Sequence, residues 1–463
     1  MSMFEYAGRR LAVLSTVAAG LVLTAAPGAL ADSGTPTPTA PTQLFSAYRT
    51  CSGDPDAPTY VWARGGVLIE GMPGDTGDAA GSSVSVQYRV WPVADPARTT
   101  TVSRQNASLG YEAPATVPAT ALTDGQTYGW QAQTQVGSDT SDWSATCYFA
   151  ADDTAPSPAP TVTSANYPQS GLDDPGDPVH FTFDAAGADD VAGFEFGWQN
   201  DLPVDVVGIG AYGVPQPTDP YDDTRYYARA DHLGGSASVD LVPPAGAGPR
   251  TLYVVSLDRA GNESAQSSYD FILKGAAPTI TGPAQPQYGQ TVTLRLAPDP
   301  GLQAKSPTTS YSVEVDDAQG PRTVQVPAAA DGTARTRVKL DGADGERVSV
   351  TSTSANGWTS DDQVWSTSFD TTPTITSDVY AENAAGGGAG VPGTFTFAPK
   401  VKGVAAYSYS FNGADPVTVE AGKGHRATVT WTPADSGEFY LVVNAITQDG
   451  VALTPYYYFA TAN

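Results

Sequence analysis

Two cysteines, three methionines and three histidines are all that this chain of 463 residues holds of those types. His180, His232 and His425 lie far apart, and no two have the spacing of zinc ligands, which argues against an imidazole-built metal centre. No G-x-S-x-G elbow follows a strand-like segment, and two cysteines joined to each other leave no thiol nucleophile. Basic residues are scarce as well: 23 Lys and Arg stand against 49 Asp and Glu, a formal charge of −26. Such a chain is repelled by nucleic acid and by anionic lipid. Beyond residue 31 no apolar run approaches the roughly 18 residues of a membrane-spanning helix. No later stretch of ten or more residues carries a helical stripe, because 48 Gly and 38 Pro interrupt the chain at close intervals.

What is present begins with an export signal. Arg9 and Arg10 precede an apolar run from Leu11 to Ala26, and Ala29-Leu30-Ala31 supplies the small-residue cleavage pattern before Asp32. Residues 1–31 are therefore expected to be removed, leaving a secreted or cell-surface chain with no further membrane insertion. The paired arginines admit the twin-arginine route as well as the general one. Loss of Glu5, Arg9 and Arg10 makes the mature chain one unit more acidic, and this acidity reads as solubility in the medium. Charged residues are only 16% of the sequence, and Thr, Ser, Gly and aromatic residues fill the difference. Eight Trp, 23 Tyr and 14 Phe give more buriable surface than a disordered chain carries. In an exported protein Cys51 and Cys147 are expected to pair, closing a loop of about a hundred residues that the chain-entropy model values at roughly 4–5 kcal/mol.

One phrase recurs. Pro160-Thr161-Val162-Thr163-Ser164 returns as Pro278-Thr279-Ile280-Thr281-Gly282 and Pro373-Thr374-Ile375-Thr376-Ser377, with a weaker form at Pro41-Thr42-Gln43-Leu44. A repeat near 100 residues is the size of one β-sandwich. Proline cannot donate to a central ladder, so each phrase marks the first, edge strand of a unit. Between the phrases the hydrophobic period is two: "VHFTFD" sets Val179, Phe181 and Phe183 against His180 and Thr182, and "GTFTFAP" repeats the pattern with Phe395 and Phe397. Phe194, Phe196 and Trp198 match Tyr407, Tyr409 and Phe411, which makes units two and four related copies. Each unit ends on a β run and a closing turn, "LDRAGN" in the second, "TSTSANG" in the third and "NAITQDG" in the fourth. The expected organisation is all-β: a signal peptide over 1–31, then sandwiches over 32–154, 155–275, 276–370 and 371–463, joined by short Pro-rich linkers that act as semi-rigid spacers and give an extended rod. Tyr128, after the turn in "LTDGQTYGWQA", sits where sandwiches place a tyrosine whose hydroxyl bonds the preceding loop, and Trp130 and Trp143 are expected to pack.

The run of "CSGD", "VQYRVW", "LTDGQTYGWQAQTQ", "SDWSATCYF", "VAGFEFGW" and "LYVVSLDRAGNES" resembles the β-sandwich arrays of exported actinobacterial proteins. Their modules are immunoglobulin-like or fibronectin type III-like, and the arrays typically precede a laminin-G-like jelly-roll. The likeness is close across residues 45–275 and generic beyond. It implies tandem β-sandwich modules; in this sequence a fourth sandwich stands where the jelly-roll would follow.

Candidate chemistry concentrates in one place. Between Trp198 and the strand near Ser238 the second unit carries a long insertion near 199–235, where its sibling has only "ADPVTVEAGKGHR". Insertions on a rigid scaffold are where binding usually resides. Asp219, Asp222 and Asp223 in this segment are candidate calcium ligands, as hard oxygens close in sequence, and Tyr221, Tyr226 and Tyr227 are candidates to stack on a sugar ring. Asp258 and Asn262 are expected to close a turn through side-chain bonds, with Gly261 supplying positive φ. No cofactor other than calcium is indicated. The reading is a non-catalytic binding or spacer protein, monomeric, contacting extracellular polysaccharide, cell-wall polymer or another exported protein. The alternative is a polysaccharide-acting hydrolase with its site on the insertion, which would need two carboxylates facing each other across a cleft.

Overall fold

A computed structural model describes residues 37–77, 83–202, 219–317 and 320–463, together with a strand pair formed by Gly208–Ile209 and Pro215–Gln216. The expected signal over 1–31 lies outside the described residues, as does most of 203–218.

The period-two pattern is realised strand by strand. Along Val179–Asp184 the side chains of Val179, Phe181 and Phe183 are buried while His180 and Thr182 face solvent. Phe395 and Phe397 are buried in the same way on Gly393–Ala398. Alternating strands have one face to bury, and they bury it by pairing sheets, so the chain forms four consecutive two-sheet sandwiches, each with its own core. The second sandwich sets Thr161–Ser164, Val179–Asp184 and Ser236–Leu241 against a five-stranded sheet in the order Leu172–Asp173, Ser267–Leu273, Gly248–Leu257, Gly193–Gly197, Tyr227–Arg229. The fourth repeats that order strand for strand, including the short parallel edge, Ala385–Gly386 beside Tyr456–Ala462. It also repeats the polar ties of the core: Tyr269 Oη donates to Tyr167 O at 2.7 Å in one, and Tyr458 Oη to Tyr380 O at 2.6 Å in the other. The strands Thr161–Ser164, Thr279–Thr281 and Thr374–Ser377 each follow their proline and each lie at a sheet edge.

In the first sandwich Cys51 and Cys147 are bonded, with Cα atoms 5.4 Å apart. Tyr128 Oη accepts from Thr123 N at 2.8 Å, and Trp130 is fully buried with Nε1 donating to Ser46 Oγ at 3.0 Å. Trp143 lies at the sheet surface under the Arg89 guanidinium, 4.2 Å from its ring centre. One short helix, Pro300–Lys305, stands in the third sandwich; Asp299 caps it by accepting from Leu302 N at 2.9 Å and proline occupies its first turn.

Sandwiches two to four are each fastened to the one before by the same device. Behind a long strand of each, a turn closed by a single bridge (Leu257 to Glu263, Thr353 to Thr359, Ile446 to Ala452) reaches back to the preceding unit. Asn262 Nδ2 donates to Asp152 O at 2.9 Å, Asn356 Nδ2 to Gly176 O at 2.9 Å, and Asp449 pairs with Lys339 at 3.0 Å. At the second joint Trp358 is also buried, against Ala276 and Leu302, with Nε1 donating to Pro244 O at 3.3 Å.

Replacing both cysteines by alanine is expected to destabilise the first sandwich by about 2–4 kcal/mol. In calorimetry of the full mature chain, one transition should shift down by roughly 10 °C or more while those of the other sandwiches stay in place.

Candidate functional site

The first joint, unlike the second, is not filled by a tryptophan. A cleft of about 740 Å³ opens there between the first and second sandwiches, lined from both sides.

Its first wall is an edge strand. Thr59–Val61 pairs in parallel with Cys147–Ala151, and since alternate side chains face opposite ways, Val61 is buried while Tyr60 and Trp62 are turned outward. Trp62 is 53% exposed, a large ring left in solvent at the cleft rim. Tyr48 and Arg49 stand next to Cys51, so the disulfide that ties Cys51 to the strand at Cys147 also holds this corner against the wall.

The second wall combines the closing turn with the insertion. Asp258 is buried, its Oδ1 accepting from Ala260 N at 2.8 Å and Asn262 N at 2.9 Å and its Oδ2 from Asn262 Nδ2 at 2.8 Å; Gly261 takes the φ of 90° that the reversal requires. Burial holds the Asp258 carboxyl above the usual carboxylate range. Asp152 across the joint is raised by its own burial and then by the charge of Asp258. Because both carboxyls keep their protons to higher pH in the folded chain than in the unfolded one, their contribution to stability is present in acid and is lost as pH rises through their folded range.

The described part of the insertion folds down beside this turn. Asp219 caps the short turn Pro220–Asp222 by accepting from Tyr221 N at 3.1 Å, and it is paired with Arg229. The Tyr221 ring lies directly on Gly193, where any Cβ would collide with it, so only glycine permits that approach. Arg229 covers the ring at 4.4 Å. Burial pushes the Tyr221 phenol up to about 12, and the charges that act on it, Arg229, Asp219, Arg49 and Asp258, all line the cleft.

Of the three tyrosines, Tyr221 alone lines the cleft. Tyr227 is turned inward onto Val255 and Leu257 under the insertion and cannot stack on a ligand; Tyr226 is exposed beside Arg225, outside the cleft. The three aspartates are not gathered round one point. Asp219 is engaged as described, Asp223 is bound by Arg225 at 2.7 Å, and Asp222 is exposed. Among the described residues no group of three or more His, Cys, Asp or Glu side chains is placed to share a metal ion. In the acidic stretch 171–177, Asp174 pairs with Lys274 at 3.1 Å and Asp177 with Lys305 of the third sandwich at 3.2 Å.

The two walls meet through arginines. Arg49 Nη1 donates to Tyr60 O at 3.0 Å and, across the joint, to Arg259 O at 2.6 Å. Arg259 in turn lays its guanidinium 3.7 Å over the Tyr60 ring. Arg49, Tyr60, Trp62 and Arg259 were not singled out from the sequence. The available signal was the aromatic and basic pairing in "AYRT" and "YVWAR", which identifies a site only once the "DRAGN" turn is known to dock against it.

Asp258→Ala removes the acceptor for three donors and is expected to destabilise the second sandwich by about 2–4 kcal/mol, since buried N–H groups left unpaired lose more than the bond itself. Denaturant unfolding of the full chain followed by a probe in the second sandwich checks this.

No family model matches the chain, and no curated protein matches it. Solved structures are similar in part. The FN1–FN3 domains of chicken CNTN1 are 12% identical with a TM-score of 0.26, over 66% of this chain and 100% of that one. A Ca2+-stabilized adhesin with which an Antarctic bacterium binds ice is 16% identical with a TM-score of 0.21, over 93% and 98%. The fibronectin(III)-like modules of Clostridium thermocellum CbhA are 14% identical with a TM-score of 0.17, over 44% and 92%. Likenesses at this level carry no weight for ligand or activity.

Proposed function

We propose that the chain is a non-catalytic secreted or cell-surface binding protein, that its recognition site is the cleft of the first joint, and that the ligand is an extracellular polysaccharide. The carrying observation is the cleft itself, about 740 Å³ between two sandwiches. This size and this position between domains are typical of ligand sites. Trp62 at the rim and Tyr48 inside offer aromatic faces, edged by hydrogen-bonding groups and by the arginines stacked on Tyr60 and Tyr221, which suits sugar rings, whose faces carry C–H bonds and whose edges carry hydroxyls. The third and fourth sandwiches then act as a spacer, held in line by their own closing turns.

Two carboxylates, Asp219 and Asp258, line the cleft, and their bonding favours this reading over hydrolysis. A glycosidase needs one carboxyl free to donate a proton and one free to attack or to activate water. Asp258 spends both oxygens on its own turn, and Asp219 is occupied by Tyr221 N and Arg229.

Trp62→Ala is expected to weaken retention on the cognate polysaccharide about tenfold, on the scale of one lost ring contact of 1–1.5 kcal/mol. Co-sedimentation of the mature protein with a panel of insoluble polysaccharides and wall preparations measures this. Retention indifferent to Trp62→Ala and to Tyr60→Ala would overturn the assignment of the cleft.

A further inference from the structure

We infer that the polymer taken by the first joint is anionic, a saccharide chain whose units carry carboxylate or phosphate groups, and that Arg49 and Arg259 receive those groups. The inference rests on the cleft being the binding site and adds the chemistry of what it binds. Its basis is a local reversal of charge. The chain has 23 basic residues against 49 acidic ones, yet the cleft is lined by three arginines, Arg49, Arg229 and Arg259, against two aspartates. Both aspartates are already bonded, Asp219 to Arg229 and Asp258 within its turn.

Arg49 and Arg259 form no ion pair with a carboxylate among the described residues. Arg49 uses only Nη1, on two backbone carbonyls, so its remaining donors are not committed to any described residue. The Arg259 guanidinium is held over the Tyr60 ring, its carbon 3.7 Å from the ring centre, and its N–H groups donate to no described residue. A guanidinium fixed in this way has already lost the rotamer freedom that binding would otherwise remove, and its fork matches the two oxygens of a carboxylate or phosphate. The two arginines are contiguous, one donating to the backbone of the other, so anionic groups on neighbouring sugar units can each meet one. Aromatic faces beside paired cations match a ring that bears a charge, and a neutral glycan would leave both guanidinium forks without a charged acceptor.

The acidity of the remaining chain does not prevent this. At physiological ionic strength charges are screened over about 8 Å, so a ligand in the cleft is governed by the side chains lining it while the distant acids act weakly.

The test is calorimetric titration of the full mature chain with three soluble oligomers of equal length: a uronic-acid oligosaccharide, its carboxyl-reduced neutral analogue, and an alditol-phosphate oligomer. At least one anionic probe is expected to bind about tenfold or more tighter than the neutral one, on the scale of a charge-assisted hydrogen bond. That preference should shrink at about 0.5 M salt, and in Arg259→Gln it should fall about tenfold with the melting profile unchanged. Whichever anionic probe wins tells carboxylate from phosphate. Equal affinity for neutral and anionic probes, still weakened about tenfold by Trp62→Ala, would overturn the anionic assignment and leave the cleft standing. Anionic binding that ignores both Arg259→Gln and Trp62→Ala would overturn both.

Discussion

The constraint on which the rest of this structure depends is a backward reach: the turn that ends each long hairpin of sandwiches two to four touches the unit before it. Asn262, Asn356 and Asp449 occupy this position in turn, and each meets the preceding sandwich through a polar bond. A neutral hydrogen bond contributes about 1 kcal/mol and an exposed ion pair such as Asp449–Lys339 no more, so such a contact alone would not hold two bodies in register. What surrounds it decides the strength of the joint. At the second joint the third sandwich adds Trp358, 1% exposed, whose burial by area is worth roughly 4–6 kcal/mol, shared between its own sandwich and the joint. At the first joint no such ring fills the space, and the volume left over is the cleft.

The disulfide belongs to the same account. Its loop-closure contribution stabilises the first sandwich, but its position has a local effect as well, since Cys51 lies beside Arg49 and Cys147 begins the strand that pairs with Thr59–Val61. The staple therefore sets where Arg49 can reach, and Arg49 is the side chain that crosses to Arg259. Gly193 plays a similar part on the opposite wall, where its missing Cβ lets Tyr221 settle onto the sheet and turn the insertion toward the joint. Fold and site are thus connected by a few residues whose bulk, or lack of it, places the others.

Much of the fold was legible because a sandwich strand states its own period: Val179, Phe181 and Phe183 alternate with polar neighbours, and the Pro-Thr-β-branched phrase marks the first edge strand of sandwiches two to four, whereas the weaker form at Pro41 falls inside Pro38–Ser46, which is flanked on both sides. The kinship of units two and four was legible in aligned aromatics, and the structure adds that their strand order and tyrosine ties coincide. The turn at Asp258 was legible from Asp, Gly and Asn at turn spacing; that Asn262 would spend its amide on another sandwich was not, because a short-range motif does not name a partner 110 positions away. The helix Pro300–Lys305 is too short to show a helical period, although Asp299-Pro300 is a start signal. The insertion was located, but which of its tyrosines faces the ligand depends on the Gly193 surface beneath Tyr221 and the apolar pocket beneath Tyr227. The arginines of the cleft stayed unread because they come from segments some two hundred positions apart and meet only after two sandwiches dock.

The measurement that tests the docked joint most directly is the distance distribution between two spin labels, one on the first sandwich and one on the second, in the full mature chain with and without Asn262→Ala. A narrow distribution that broadens in the variant is what a turn-fastened joint predicts. A broad distribution in both, with the sandwiches free to swing about their linker, would contradict it, and the cleft would have no fixed walls.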